Sequence, residues 1–358
     1  MYTGDTKYDV IIIGCGLAGS TLGYLLKKDG YKVLIIDHRK YHGKSKLCSG
    51  ILTHRSYEIL KELYDIKSLE KYAVIGRFDS FTIKSVFTAT VRNVDIKVTN
   101  RKRLDIFLAN QYVDADGDIL EECGLLEYDF KNKTVKSGMF TFSYNILIGA
   151  DGVVSQLRKI LTGKYQERYV SMQYSDKPNA YKMSFEFKKA FMGYYWYIAT
   201  STCTYIGCAD FKEYRYSIPE FRNAEIKKGV TSEILSGVRP TGEDIMLKSK
   251  KYKDIYFIGD AAGLTSPATG EGIYHALNSA KIMHKAITEN LSYEKLMKST
   301  IVNIKKELLY KKRIYKFFHR TLYIFFLSKK TFISKILNKK LKKNLNLDWL
   351  LKTTKNML

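Results

Sequence analysis

The chain has 358 residues, 45% hydrophobic and 13% aromatic, which excludes global disorder and supplies material for a large core. Its net charge of +24 is uneven, because residues 301–358 hold sixteen Lys or Arg against only Glu307 and Asp348. Five scattered cysteines (Cys15, Cys48, Cys123, Cys203, Cys208) form no CxxC pair and have no His cluster nearby. That argues against a disulfide framework or a metal site and favours a reducing compartment.

Tyr8–Gly14 reads as a buried parallel strand, with no signal peptide before it. Gly14-Cys15-Gly16-Leu17-Ala18-Gly19 follows, then a helical segment Ser20–Asp29 closed by Gly30. Tyr31–Asp37 is a second strand ending in a carboxylate. This is the βαβ dinucleotide fingerprint. Gly14 makes the tight turn, Gly16 admits a pyrophosphate and Gly19 lets helix and strand pack closely. Asp37 is placed to bond ribose hydroxyls.

A loop carrying Cys48 and Gly50 leads to a helix over Ser56–Tyr64. Phe78–Val98 alternates apolar and polar residues (Phe81, Ile83, Val86, then Val91, Val94, Ile96, Val98), as antiparallel strands of a second sheet do. Arg101–Leu108 reads as a helix start with an arginine at its entry. Phe140–Ile148 is another strand, ending at Gly149-Ala-Asp151-Gly152 before a helix. Residues 165–250 hold Tyr- and Phe-rich alternating segments, among them Gly193–Ile198 with Tyr194 and Trp196, and Thr204–Ala209. The run Asp254–Gly263 ends a short strand at Gly259-Asp260, and Gly, Ser and Pro punctuate the passage into a helix over Ile273–Ala286. Such a turn aims backbone N–H groups and a helix N-terminus at an anion, with Asp260 ready to accept from hydroxyls.

The pattern predicts an α/β chain with a discontinuous Rossmann-like dinucleotide-binding domain (residues 1–75, 99–165 and 250–295). A mostly antiparallel β substrate domain takes 76–98 and 166–249, and a basic helical C-terminal region takes 296–358. In the tail, Leu322–Leu327 is too short an apolar run to span a bilayer. Ile304, Leu308, Ile314, Phe317, Phe318, Leu322, Phe325 and Phe326 recur at helical spacing between lysines. That stripe suits a basic helix lying in an anionic lipid interface, or one packing its apolar face on the core.

Three segments, Gly14–Gly19 with Asp37, Gly149–Arg158 and Gly259–Ile273, resemble the three fingerprints of flavoproteins with the glutathione-reductase or p-hydroxybenzoate-hydroxylase type of FAD fold. In detail the chain is similar to the geranylgeranyl reductase family. Cys48-Ser49-Gly50 matches its cysteine–glycine loop. Arg101, Leu104, Asp105 and Leu108 match its R-x-x-F/L-D-x-x-L helix start. Gly259 to Ile273 reproduces its G-D-A-A-G-x-x-S-P-x-T-G-E-G-I motif. Tyr194, Trp196 and Ile198 match part of a Y-x-W-x-F-P strand, with Ala199 where that family has proline. The resemblance covers most of residues 8–290. The substrate half is short, and the tail does not align.

The resemblance implies an FAD-dependent oxidoreductase that reduces C=C bonds of geranylgeranyl or polyprenyl groups, lipid-linked or free, by hydride transfer from reduced flavin. It implies FAD with its adenosine on Asp37 and its pyrophosphate on the Gly14–Gly19 turn. Arg101 and Asp260 contact the cofactor, and Gly270, Gly272 and Ile273 face the isoalloxazine. Ala18, Cys48, Gly50, Asp151 and Gly259 complete the expected contacts.

Cys48 is read as the proton donor or positioning group, or else as a small packing residue; Cys15 is read as packing. Tyr194 and Trp196 line an apolar substrate tunnel or belong to the core. No second GxGxxG follows a strand, so the electrons come from transiently docked NAD(P)H or from ferredoxin, whose acidic surface a basic protein steers. The expected location is cytoplasmic, peripheral at the membrane face, with no nucleic-acid partner. The alternative on the same scaffold is a flavin monooxygenase or halogenase; a halogenase shows W-x-W-x-I-P, and Tyr194 and Ala199 depart from it. A basic membrane- or nucleic-acid-binding protein without catalysis is the reading from another class, and three spaced flavin motifs weigh against it.

Overall fold

The computed structural model describes residues 6–41, 47–84, 88–188, 193–210, 235–267 and 269–327. Val86 and residues 328–358 of the basic tail lie outside them, as do the side chains of Ile314, Phe317, Phe318, Leu322, Phe325 and Phe326.

In chain order, β1 (Lys7–Ile13), α1 (Leu17–Lys28) and β2 (Val33–Ile36) form the first βαβ unit. Then come β3 (Ile51–Leu52), α2 (His54–Leu63), α3 (Ile66–Ala73), β4 (Val74–Lys84), β5 (Thr88–Thr99) and α4 (Arg101–Asp114). β6 (Asp118–Leu120), β7 (Glu127–Asp129), β8 (Thr134–Ser137), β9 (Phe140–Gly149) and α5 (Gln156–Thr162) complete the middle. β10 (Arg168–Asp176), β11 (Lys182–Lys188), β12 (Gly193–Ala199), β13 (Thr204–Asp210) and β14 (Leu235–Pro240) follow. The described residues end with β15 (Ile255–Phe257), α6 (Ile273–Thr288), α7 (Tyr293–Leu296) and α8 (Lys298–Leu327).

Two sheets result. In the first, β6, β2, β1, β9 and β15 lie side by side and all parallel, and β8 and β7 extend it antiparallel from the earlier half of β9. β2 is buried at every position, as a strand covered on both faces must be. Helices α1, α4 and α6 close one core around Leu22, Leu34, Ile35, Tyr112 and Leu277. The chain leaves β1 toward β2 on one side and toward β9 on the other. The crevice beyond the carboxyl ends of these strands is therefore a topological switch point, where open α/β sheets bind ligands.

The second sheet runs β14-β10-β13-β12-β11-β4-β5-β3 and encloses its own core of Phe81, Ile96, Val98 and Ile198. Its pairings are antiparallel except β4 with β11, which run parallel with Thr82 opposite Ser184. The short β3, inside the segment 1–75 assigned to the nucleotide half, pairs instead with β5 of this second sheet. Two residues were too few for alternation to show. α1 begins at Leu17 rather than Ser20, so Gly19 lies within the helix. α6 runs on to Thr288, beyond the expected Ala286. Among the described residues no helix is long and apolar enough to cross a membrane.

Candidate active site

The turn after β1 depends on missing Cβ atoms. Gly14 sits at φ +110, and a Cβ there would meet the Ala150 carbonyl oxygen at 2.5 Å. A Cβ on Gly19 would lie 1.9 Å from the carbonyl oxygen of Gly14. Strand, helix and the Ala150 turn thus touch through bare backbone. Gly16 caps α1 without a side-chain hydrogen bond, leaving first-turn N–H groups for an outside anion. Asp37 at the end of β2 accepts from the N–H of Cys15 at 2.7 Å and of Arg39 at 2.9 Å. Its carboxylate therefore ties the glycine turn to the second strand.

The opposite wall is a second helix start. α6 is capped by Gly272, again without a side-chain hydrogen bond, and a Cβ on Gly272 would stand 3.3 Å from Asp260 Oδ1. After β15 the chain makes a 3-10 turn, Gly259–Ala262, that no sequence pattern announced. Gly259 N–H donates to Ser279 Oγ at 2.9 Å, and a Cβ on Gly259 would lie 3.0 Å from that of Ala18. The starts of α1 and α6 are thereby drawn together. Buried Arg158 anchors the turn, donating to the carbonyls of Ala261 at 3.2 Å and Asp244 at 2.8 Å. Asp151 Oδ2 accepts from the N–H groups of Gln156 and Leu157 at the start of α5, and burial pushes its carboxyl up.

Between these walls and the second sheet lies a cavity of about 1060 Å³, large for a ligand pocket. Gly14, Gly16, Ala18, Asp37, Cys48, Arg101, Asp151, Tyr194, Trp196, Asp260, Gly270, Gly272 and Ile273 all line it. Gly50 and Gly259 do not, contrary to expectation, because each is taken up in close packing behind the wall. Gly19, also expected to touch the cofactor, does not line it either and serves only the helix–strand packing expected of it. For Gly50, at φ +72, a Cβ would meet the Thr99 carbonyl oxygen at 2.0 Å.

Cys48 sits where the sheets meet. Arg101 Nη2 pairs with Asp105 Oδ1 at 3.0 Å. Burial works against its charge, but Asp105 and the Cys48 sulfur outweigh burial and hold it protonated. From the second sheet, Trp196 Nε1 donates to Gln173 Oε1 at 3.0 Å, and Gln173 Nε2 donates to the Cys48 carbonyl at 3.2 Å. Tyr194, 5.7 Å from Trp196 between ring centroids, donates its hydroxyl to the Thr269 carbonyl at 3.0 Å. Phe81, Ile83 and Phe185 add apolar wall.

Four residues escaped the sequence reading. Glu271 lines the cavity, pairs with Arg55 Nη2 at 2.8 Å and accepts from the Thr53 hydroxyl. Burial pushes its carboxyl up, against the pull of Arg55 and Thr53. His275 is pushed down to about 3 by burial and by Arg55, so its imidazole is neutral. Glu307 on α8 and Arg239 on β14 also reach the glycine loop. Glu271 stood inside a quoted motif; the other three carry no local signal.

These residues fit FAD. Two uncapped helix starts face one cavity, the Asp37 carboxylate lines it, and Arg101 Nε is buried without a hydrogen-bond partner among the described residues.

Comparisons with known proteins agree. Residues 7–296 match the FAD binding domain family. The digeranylgeranylglycerophospholipid reductase of Methanococcus vannielii is 25% identical over 317 residues, 80% of this chain and 78% of the relative. The geranylgeranyl diphosphate reductase of Rhodobacter capsulatus is 26% identical over 295 residues, 75% of this chain and 72% of the relative. A geranylgeranyl bacteriochlorophyll reductase-like protein from Thermoplasma acidophilum shares the fold at TM-score 0.67 and 18% identity, covering 87% of this chain and 88% of its own. A probable FAD-dependent monooxygenase from Pseudomonas aeruginosa shares it too, at TM-score 0.61 and 16% identity over 87% of this chain and 95% of its own. The chain belongs to the FAD binding domain family and binds FAD as its cofactor.

Proposed function

We propose that this flavoprotein reduces C=C bonds of geranylgeranyl or polyprenyl groups. The observation that carries the reading is one cavity in which Cys48 and the Gly270–Ile273 helix start meet the apolar face of Phe81, Ile83, Phe185 and Trp196. The names of the relatives in Methanococcus vannielii and Rhodobacter capsulatus support it.

FAD bound in this cavity and reduced would supply the hydride equivalent for one alkene carbon. The other carbon needs a proton, and Cys48 is the candidate donor; the Arg101 guanidinium stands ready to balance the thiolate that remains. Trp196, Gln173 and Cys48 form one hydrogen-bonded line, so the sheet that holds the prenyl chain also positions the cysteine loop. Thr53 and Arg55 pin Glu271, and with it the loop before α6. NAD(P)H or ferredoxin would be the electron donor, and the basic tail would dock the enzyme on an anionic membrane surface that presents prenyl lipids.

Lipids from cells expressing the protein, analysed by mass spectrometry, test this. Prenyl chains are expected to gain mass in steps of two hydrogens, and unchanged lipids overturn the reading. The rival is an oxygen-dependent monooxygenase or halogenase on the same fold. Product that forms only in the presence of oxygen selects it.

A further inference from the structure

Three arginines surround the glycine loop and Cys48, and two of them are matched by acid. Arg55 has Glu271 at 2.8 Å and Arg101 has Asp105 at 3.0 Å. Arg239 has neither. It lines the cavity from β14, yet its Nε, Nη1 and Nη2 are all closed to solvent and without a hydrogen-bond partner among the described residues. Its guanidinium lies over the rings of Tyr169 at 5.0 Å and Tyr194 at 5.7 Å. Those rings attract a cation but offer no oxygen acceptor in that geometry. Gly270, at φ +74, leaves the space the guanidinium fills, since a Cβ there would come within 2.1 Å of Nη1.

A permanent cation with five donors, near two rings and with its nitrogens buried, is unfavourable until an anion meets it. A carboxylate and a phosphoryl group can each take two of the fork's N–H groups. The phosphoryl group carries more charge, and the chain's net charge of +24 favours polyanions.

We infer that Arg239 recognises a phosphoryl head group on the substrate, where β14 meets Gly270. This rests on the proposed prenyl reduction for the apolar remainder of the ligand. The phosphoryl group comes either from a free prenyl diphosphate or from a prenylated glycerol phosphate.

FAD-loaded enzyme is titrated calorimetrically with geranylgeranyl diphosphate, a geranylgeranylated glycerol phosphate and uncharged geranylgeraniol. One or both phosphoryl ligands should bind the wild type at least about tenfold more tightly than the alcohol. The tighter of the two identifies the source. Arg239→Gln should lose that margin while holding the alcohol within about twofold of wild type, and Arg239→Lys should keep part of it. A wild type without the preference, or an Arg239→Gln that retains it, overturns the inference. FAD lost from Arg239→Gln also overturns it, because the arginine then serves the cofactor. No turnover is needed. A phosphoryl preference in an enzyme that reduces no prenyl lipid leaves this site standing and sinks the reductase, while reduction without the preference does the reverse.

Discussion

Glu307, on the long C-terminal helix, accepts a hydrogen bond from Ser266 Oγ at 2.6 Å. Ser266 Oγ in turn accepts from the N–H and hydroxyl of Thr269, so helix α8 is fastened to the glycine loop of the flavin site. Ile304, one turn earlier on α8, is fully buried in the first core. The start of the tail is therefore part of the folded body, whatever its distal residues do.

Glu307 makes this junction sensitive to pH. Burial pushes its carboxyl up to about 7, with Ser266 and Arg55 pulling down and Glu271 pushing up. The folded protein thus binds the proton more tightly than the unfolded chain. The stabilisation is full below 4.5, the ordinary value of a glutamate carboxyl, and is lost as pH rises through about 7. Glu307→Gln should match wild type near pH 4.5 and exceed it at pH 8 by roughly 2 kcal/mol. Thermal melts at both pH values check this, and an equal difference at the two sinks it.

Asp37 ties the glycine turn together and also lines the cavity. Asp37→Ala leaves the N–H groups of Cys15 and Arg39 without their acceptor and removes an acid from the cavity wall, where we expect it to bond the ribose. FAD affinity, read by fluorescence quenching on adding FAD to apoprotein, should fall about 10- to 100-fold. Retention of wild-type affinity would move the ribose elsewhere.

Cys48→Ala separates a proton donor from a packing residue. Reduction should slow by about two orders of magnitude with FAD content unchanged, the range expected for loss of a general acid. Activity within twofold of wild type would make the thiol a packing group.

Trp196→Phe keeps the apolar wall but removes the donor to Gln173. Gln173 and the Cys48 loop then lose their fixed register, and kcat should drop several-fold with little change in KM. A pure rise in KM would show instead that the indole only holds substrate.

The sequence exposed those parts of the site whose chemistry forbids a side chain or demands a strand end. Gly14 and Gly19 were legible because bare backbone contact tolerates only glycine, and Asp37 because it ends an apolar strand. Spacing could not tell which glycines face the ligand. Gly50 and Gly259 carry positive φ and crowd a neighbour instead of lining the cavity. Arg239, Glu307 and His275 stayed hidden for another reason. Each is one polar residue in an ordinary strand or helix, and its meaning lies in partners or missing partners brought near only by folding.

The parallel pairings also set a timetable for synthesis. Val74–Lys84 must wait for Lys182–Lys188, and Lys7–Ile13 must wait for Phe140–Gly149, which then waits for Ile255–Phe257. A nascent chain therefore carries unpaired strand edges through most of translation, the state in which chaperones protect a polypeptide from its neighbours. The cofactor can lodge only after the loop before α6 has left the ribosome, so flavin loading is a late event in the life of each molecule.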